Sequence, residues 1–495
     1  MFAAVVLYAI VPKGFLPQQD TGIIVAVNET AADTAAVSVV ERQRRLTDLI
    51  LKDPAVASVY GFTGAGTVNE TGNIGRLYIV LKPHGARDDI TTVMNRLSGA
   101  ASLLEGGALF MQAAQDIQLD NRISRTQYQY TLQAVDTAEL DVWAARLVAA
   151  LRLRPELRDV ASDQSQGGLQ APVRIDRDAA SRLGVSLQAI DDTLYDAFGQ
   201  RQIATVYTQL NQYHVILEVD PHFKSDPEAL NAIYVNSAGG PPVPLASLAR
   251  FDLQTGNLVL HHLAQFPAVA ISFNLGGSLG AAEQAIWATQ AAIGMPDTIV
   301  ASFSGSAAEF QTSLASQPVL ILASIIVVYI VLGVLYESYI HPITILSTLP
   351  SAGVGALLAL MLCGYELNLV SLIGIVLLIG IVKKNAIMMV DFALDAARTR
   401  GMSPHDSIYS AAILRFRPIM MTTIAALLGA MPLALGGGPG SELRRPMGIA
   451  ITGGLLLSQV LTLYTTPVIY LALARVSDWI TSPRRLTASA QHPLP

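Results

Sequence analysis

The sequence predicts a mixed architecture, an α/β part followed by a membrane α-helical bundle. The first observation is composition: the 495 residues are 52% hydrophobic and only 14% charged, with a mean hydropathy of +0.43. Ordinary soluble domains are about 25% charged, so this composition indicates an integral membrane protein. The second observation is that five apolar runs follow a long region in which strand-like and helix-like segments alternate.

Residues 1–14 begin with an apolar stretch that is about half the length of a membrane span. The stretch lacks the basic first region and the small-residue cleavage site of a signal peptide. We interpret it as the end of a truncated transmembrane helix, and we expect the chain to be a fragment of a longer protein.

The α/β part consists of two copies of one pattern. In residues 15–125 the predicted strands are GIIVAVNE, AVASVYGFTG, RLYIVLKP and GALFMQAAQ, and the predicted helices are TAAVSVVERQRRLTDLIL and RDDITTVMNRLSGAASLL. Their order is β-α-β-β-α-β, which is the ferredoxin-like unit. A second copy covers residues 126–167 and 264–316, and residues 168–263 form an insertion within it.

Motifs for catalysis and for cofactor binding are missing from the sequence. It has no G-x-S-x-G, no phosphate loop and no H-E-x-x-H, which predicts that the protein is not an enzyme. The single cysteine, Cys363, and the eight histidines show no ligand spacing, so we expect no metal and no cofactor. A net charge of −6 without a basic block argues against a nucleic-acid partner.

Five apolar runs within residues 317–476 are each long enough to span a bilayer. They cover residues 319–336, 343–363, 367–390, 418–435 and 447–474. Arginines cluster in residues 398–417 and again after the last run, and only Arg444 and Arg445 break this pattern. The positive-inside rule then places residues 398–417 and the tail 477–495 in the cytoplasm. Residues 20–317 lie outside it, in the periplasm of a Gram-negative cell.

Two adjacent lysines, Lys383 and Lys384, interrupt the third apolar run. Lys384 precedes Asp391 by seven residues, which places it about 10 Å inside the helix end. A charge at this depth is costly and usually faces a bundle interior, although a long lysine side chain can also extend to the headgroups. Adjacent helical positions point about 100° apart, so we expect one lysine to face inward and the other to reach the headgroups.

The fourth run adds polar residues on one helix face. Arg415 and Thr422 are seven residues apart, so they could form part of a proton path. Alternatively, Arg415 is a cytoplasmic anchor and Thr422 bonds back to its own helix. The five runs contain no Asp or Glu at mid-depth, because Glu366 and Asp391 are at the ends. The lysine and the hydroxyl group therefore make only half of a proton relay, because the carboxylate is missing.

Four motifs carry a resemblance to a known family. IGIVKKNAIMMVDFA, LRFRPIMMTTIAALLGAMPL, LYESYIHPITILSTLPSAGVGALL and GFLPQQDTG closely resemble the resistance-nodulation-division (RND) multidrug efflux permeases, most strongly the MdtB/MdtC-like branch. The resemblance implies the C-terminal half of a twelve-span inner-membrane protein. It also implies a homotrimer or heterotrimer that exchanges protons for small-molecule drugs, without a cofactor, and that docks to a periplasmic adaptor and an outer-membrane channel.

The resemblance assigns the relay residues. Lys384 matches the relay lysine, Asn385 its neighbour, and Arg415 and Thr422 the relay arginine and threonine. Lys383 is then the lysine that reaches the headgroups. The relay aspartates belong to the first half of such proteins, so Lys384 would be the counter-ion of a carboxylate pair outside this chain. We therefore expect the chain alone not to transport.

The resemblance also implies two porter subdomains, with residues 168–263 as a docking subdomain and residues 198–216 as a loop that reaches the neighbouring subunit. Tyr60, Phe62 and Tyr78 match positions of a drug pocket, whereas Ala65 and Thr67 stand where bulky aromatics are common. For Tyr60 and Phe62, the core of a half-buried strand is the alternative.

Two other functions compete with a complete exporter. The first is an assisting subunit of a heterotrimeric RND pump. The second, from a different class, is a membrane-anchored periplasmic binding or sensor module. The tail after Arg475 is only about 20 residues. That is too short for a signalling domain and counts against the sensor.

Overall fold

A computed structural model of the chain describes residues 2–66, 69–117, 124–165, 167–224 and 227–481. Thr67 and residues 482–495 of the predicted tail lie outside the described residues. The chain divides into two compact units. Unit one comprises Met1–Thr30, Ala35–Gln164 and Leu260–Pro495, and unit two comprises Ala31–Thr34 and Ser165–Val259.

Unit one begins with a short helix and a first α/β segment. The elements are α1 (Phe2–Ile10), β1 (Ile23–Glu29), α2 (Ala36–Leu51), β2 (Val56–Thr63), β3 (Ile74–Leu81), α3 (Ile90–Ala101) and β4 (Ala108–Ala113). The strands form an antiparallel sheet in the order β2-β3-β1-β4. Alternate strand residues such as Ile24, Ala26, Leu77 and Ile79 are fully buried and pack with residues of α2 and α3.

A second segment of unit one repeats this topology. Its elements before the insertion are β5 (Tyr128–Gln133), α4 (Thr137–Leu151) and β6 (Leu157–Ser162). The elements after the insertion are β15 (His261–Leu263), β16 (Phe266–Leu275), α7 (Leu279–Ile293) and β17 (Val300–Ser304). The order of the four long strands, β6-β16-β5-β17, corresponds to that of the first sheet. The buried faces of α4 and α7 pack with Tyr130, Leu132 and Phe273 of this sheet.

Unit two contains short strands around a small core. Its elements are β7 (Gly168–Gln170), β8 (Val173–Ile175), α5 (Arg177–Arg182), α6 (Leu187–Phe198), β9 (Arg201–Tyr207), β10 (Gln212–Leu217), β11 (Tyr234–Val235), β12 (Val243–Pro244), β13 (Ala249–Phe251) and β14 (Gln254–Gly256). Val185, Ile190 and Leu245 are buried in its core. The hairpin β9–β10 is exposed along its length, and Leu210 at its tip is 93% exposed.

The C-terminal part of unit one is helical. Its helices are α8 (Ser306–Tyr336), α9 (Ile340–Leu346), α10 (Leu349–Leu362), α11 (Leu369–Arg400), α12 (Pro404–Leu435) and α13 (Ser441–Thr481). Helices α9 and α10 form one apolar segment of 23 residues, in which Pro350 marks the first turn of α10. In the described part of the chain, five helical segments are long and apolar enough to cross a membrane. The protein is therefore a membrane protein.

Glycines let α13 pack closely against its neighbours. A Cβ atom at Gly453 would lie 2.1 Å from the Cβ of Ala359 on α10. A Cβ at Gly448 would lie 2.3 Å from the backbone nitrogen of Ala434 on α12. Small residues at such contacts are typical of helix packing in membranes, where backbones approach each other closely.

Two backbone segments join where the sheets meet the helices. Residues 12–15, after α1, run beside residues 367–369, before α11. The amide of Gly14 donates to the carbonyl of Leu367 (3.1 Å), and the amide of Leu369 donates to the carbonyl of Phe15 (3.0 Å). This pairing attaches the start of the first α/β segment to the N-terminus of α11.

Candidate proton-coupling site and substrate cavity

Three polar side chains meet between α11, α12 and α13, in the middle of the apolar helices. Asn385, Thr423 and Gln459 are 7%, 6% and 9% exposed. Nδ2 of Asn385 donates to Oγ1 of Thr423 (2.9 Å) and to Oε1 of Gln459 (3.1 Å). Oγ1 of Thr423 donates to the same Oε1 (2.7 Å). We call these three side chains the polar ring.

The polar ring provides hydrogen-bond partners for amide and hydroxyl groups whose burial in an apolar helix bundle would otherwise be destabilising. A buried amide without a partner is destabilising, and lipid offers none. Gln459 uses its other end as well, since its Nε2 donates to Sδ of Met420 (3.1 Å). The sequence predicted only Asn385 at this site and missed Thr423 and Gln459. A glutamine inside the apolar run LLLSQVLTLY is a signal that could have found Gln459, because polar residues are rare at such depth.

The two lysines directly precede Asn385 of the ring and differ in their exposure. Lys384 was expected to face the interior, but within this chain Lys384 is exposed and Lys383 is half-buried. Val382, Asn385 and Ala386 occupy the buried face of α11, and the helical repeat turns Lys384 about 100° away from Asn385. In the described part of the chain, Lys384 makes no ion pair or hydrogen bond.

Arg415 and Thr422 are both half-buried on α12, and the structure does not join them to the ring. The guanidinium of Arg415 lies over the ring of Phe392 on α11, 4.9 Å from its centroid. The Nε atom of Arg415 is buried and has no hydrogen-bond partner among the described residues. Oγ1 of Thr422 donates to the carbonyl of Ile419 in its own helix (3.2 Å), which is the alternative that the sequence left open.

A cavity of 780 Å³ lies between the two α/β segments of unit one. Its walls come from α3, β4, β6, β16 and the loop between α10 and α11. They combine apolar and uncharged polar side chains with the charged residues Arg152, Arg158, Asp159 and Glu366. Nδ2 of Asn274, on the wall, donates to the carbonyl of Met111 in one segment (3.0 Å) and to Oδ2 of Asp159 in the other (2.9 Å). Glu366 is also on the wall, and burial raises the pKa of its carboxyl group.

The predicted pocket aromatics do not line this cavity. Tyr60 of β2 lies opposite Tyr78 of β3. The rings of Phe62 and Tyr78 meet edge to face with centroids 6.2 Å apart. Tyr60 is 59% exposed and Phe62 is 47% exposed, so the alternative that these two residues form the core of the strand is wrong. All three side chains belong to the sheet face opposite the helices.

A buried carboxyl group lies between the second sheet and the first long helix. Glu283 on α7 is only 4% exposed. Burial raises its pKa to about 7, and a hydrogen bond from Gln311 of α8 opposes this shift. Within the described residues its Oε1 has no hydrogen-bond partner. No group of three His, Cys, Asp or Glu side chains in the described residues could hold a metal ion.

Comparison of this sequence with known protein families gives a match that is consistent with the paired α/β segments and with the polar residues in the apolar helices. A sequence model described as the AcrB/AcrD/AcrF family matches residues 1–474, which is most of the chain. The chain belongs to the AcrB/AcrD/AcrF family. This family consists of RND permeases, which are efflux transporters.

A solved structure shows the same fold. The crystal structure of a heavy metal efflux pump is similar to this chain with a TM-score of 0.84 and 24% sequence identity. The similarity covers 96% of this chain and 50% of that one, so this chain spans about half the length of that pump. At this identity the similarity concerns the fold alone.

Proposed function

We propose that the chain is the C-terminal half of an inner-membrane, proton-driven multidrug exporter. The observation that carries this proposal is Lys384, a lysine in the middle of a spanning helix, exposed on the bundle and unpaired among the described residues. A charge at such depth needs an opposite charge or water. An acidic side chain on a helix packed over this face would meet the need, and its protonation would release the lysine.

In this proposal the relay consists of Lys384, Asn385, Arg415 and Thr422. Lys384 is the counter-ion of acidic side chains outside this chain, and Arg415 lies nearer the cytoplasmic end of the bundle. The exposed orientation of Lys384 supports a partner outside the chain, and Lys383 would be the lysine that reaches the headgroups. The pump needs no cofactor, because the proton gradient supplies the energy.

The cavity between the α/β segments supports the substrate class. Its volume lies within the roughly 300–1,000 Å³ of sites that bind drug-sized molecules, and its mixture of apolar and polar side chains suits varied organic ligands. The two segments would be the porter subdomains, residues 15–125 and residues 126–167 with 264–316. Residues 168–263 would be the docking subdomain. Tyr60, Phe62 and Tyr78 would form a second, aromatic contact for the drug.

The assembly proposed is a trimer, homomeric or heteromeric, that docks in the periplasm to an adaptor and an outer-membrane channel. The exposed hairpin β9–β10 would reach the neighbouring subunit, since it presents apolar side chains such as Leu210. An assisting role in a heterotrimer is the alternative within this family. The solved relative is a heavy metal efflux pump, whereas the described residues that line the cavity include no histidine or cysteine.

Ethidium efflux from cells without other pumps tests the proposal. In a complete pump that contains this chain, Lys384→Ala should abolish efflux, while Lys383→Ala, its neighbour in the same run, should keep most of it. The chain alone should not export ethidium. Equal loss from both substitutions, with normal assembly, would contradict the role of Lys384.

A further inference from the structure

We propose that Gln459 is a positioning residue for proton coupling: through the polar ring it fixes the rotation of α11 that presents Lys384 on the exposed face of the bundle. The inference rests on the proposed function for its transport consequence. Its geometric part stands on the structure alone.

Gln459 is the member of the polar ring that lies on α13. Its Oε1 accepts hydrogen bonds from two different helices, from Asn385 at 3.1 Å and from Thr423 at 2.7 Å. Removal of this one oxygen breaks two of the three bonds in the ring. Nδ2 of Asn385 and Oγ1 of Thr423 likewise each bond to both of the other helices, so the three side chains form a closed triangle between α11, α12 and α13.

The ring is coupled to Lys384 through the helical repeat. Asn385 follows Lys384 directly, so the two side chains point about 100° apart on α11. Any rotation of α11 that carries Lys384 toward the interior carries Asn385 away from Gln459 and Thr423. Such a rotation leaves buried polar groups unpaired where lipid and apolar side chains offer no replacement. The ring therefore favours one rotational setting of α11.

The same ring orients α12. Thr423 bonds across to α11 and α13, whereas the preceding residue, Thr422, bonds only to the carbonyl of Ile419 in its own helix among the described contacts. With Thr423 held inward, Thr422 lies about 100° away on the helix. One uncharged glutamine thus sets the direction of two residues of the proposed relay.

The first test measures geometry in the chain itself. In a Cys363→Ser background, a nitroxide is attached to a cysteine that replaces Lys384, and its collision rate with oxygen is measured in lipid nanodiscs. Gln459→Met keeps the shape of the side chain but removes the acceptor, and it should change this rate at least twofold. Gln459→Glu keeps an acceptor oxygen and should restore the rate. An unchanged rate in Gln459→Met overturns the proposal.

The second test measures coupling in a complete pump, with ethidium as the probe. Gln459→Met should lower kcat at least tenfold and shift its pH profile, with KM for ethidium unchanged, and Gln459→Glu should restore most of kcat. Ser458→Ala is the matched control, because Ser458 neighbours Gln459 and bonds only Thr462 of its own helix among the described contacts. A nitroxide response with a normal kcat and pH profile would make the ring structural and refute its role in coupling.

Two further comparisons cover the cases in which Gln459→Met does not accumulate or the unmodified pump does not export ethidium. If Gln459→Met does not accumulate, Thr423→Val removes the bonds of Thr423 to Asn385 and to Gln459. It leaves the bond from Asn385 to Gln459, so α11 stays joined to α13 and the same changes should appear at smaller size. If the unmodified pump does not export ethidium, the proposed function fails, but the nitroxide measurement still decides whether Gln459 orients α11.

Discussion

The two-sheet region of unit one and its helical region bury different kinds of side chain. In the sheets the fully buried residues are large, such as Tyr130, Leu132 and Phe273. In the helical bundle many are alanines, such as Ala356, Ala386 and Ala450, together with close glycine contacts and the polar ring. Many of the exposed residues of the helices are instead leucine, isoleucine and valine.

The difference follows from the solvent that each region meets. In water, burial of large apolar side chains is the main source of stability, so the largest ones lie inside. In lipid, an apolar side chain gains little by leaving the surface, and helices associate through close backbone approach and hydrogen bonds. The same amino-acid type therefore predicts opposite locations in the two regions.

The largest effect is expected from filling a glycine contact in the helical bundle. Gly453→Leu forces α13 away from Ala359 of α10, because a Cβ alone would lie 2.1 Å from the Cβ of that residue. We expect loss of most folded protein, measured as the monodisperse fraction in detergent after heating. Gly429→Leu is the control, since a Cβ there meets no atom within 4 Å. Similar behaviour of the two variants would contradict close packing at Gly453.

The next largest effect is expected from truncating a side chain in the core of the second sheet. Phe273→Ala removes a fully buried ring of β16 and should lower the free energy of unfolding by about 3–5 kcal/mol. Phe266→Ala on the same strand should cost less than about 1 kcal/mol, because that ring is half exposed. Denaturant unfolding followed by tryptophan fluorescence measures both. A loss below about 1 kcal/mol for Phe273→Ala would contradict the inference that burial of large side chains stabilises the sheet region.

The buried carboxyl group of Glu283 predicts a pH dependence. Its folded pKa of about 7 lies above the ordinary 4.5, so its ionisation begins to lower stability as the pH rises past about 4.5, and the loss is complete above about 7. Glu283→Gln should therefore stabilise the protein by up to about 3 kcal/mol at pH 8 and very little at pH 4.5.

The melting temperature of Glu283→Gln, compared with the unmodified chain across this pH range, is the measurement. Glu309→Gln on α8 is the matched control, since Glu309 is exposed and its replacement should not change the pH dependence. A gain from Glu283→Gln that is the same at both ends of the range would show that the carboxyl group does not titrate there.

The smallest effects concern helix caps. Asn368 caps α11 with a reciprocal bond to Ser371, and it is buried. Asp136 caps α4 and is exposed. Replacement by alanine should cost about 1–2 kcal/mol at Asn368 and about 0.5–1 kcal/mol at Asp136, because only the buried cap leaves amide groups away from water. The two substitutions are compared by amide hydrogen exchange in the first turn of each helix. An equal loss of protection in α11 and α4 would contradict the role of burial.

Much of the architecture was readable from the residues. Hydrophobic periods of two and of 3.6 predicted the strands and helices of both α/β segments, because side-chain direction repeats with the backbone. Length and apolar composition predicted the five long helices. The motif around Lys384 and Asn385 predicted the family, to which the chain belongs.

Other features were decided only by the tertiary structure. Which face of α11 is buried depends on Thr423 and Gln459, which lie 38 and 74 residues away from Asn385 in sequence, so local pattern could not orient Lys384. The cavity arises where two separate segments meet, and Asn274 bridges them. Sequence determines what each residue can bond. Only the packed chain decides which bonds its distant parts can reach.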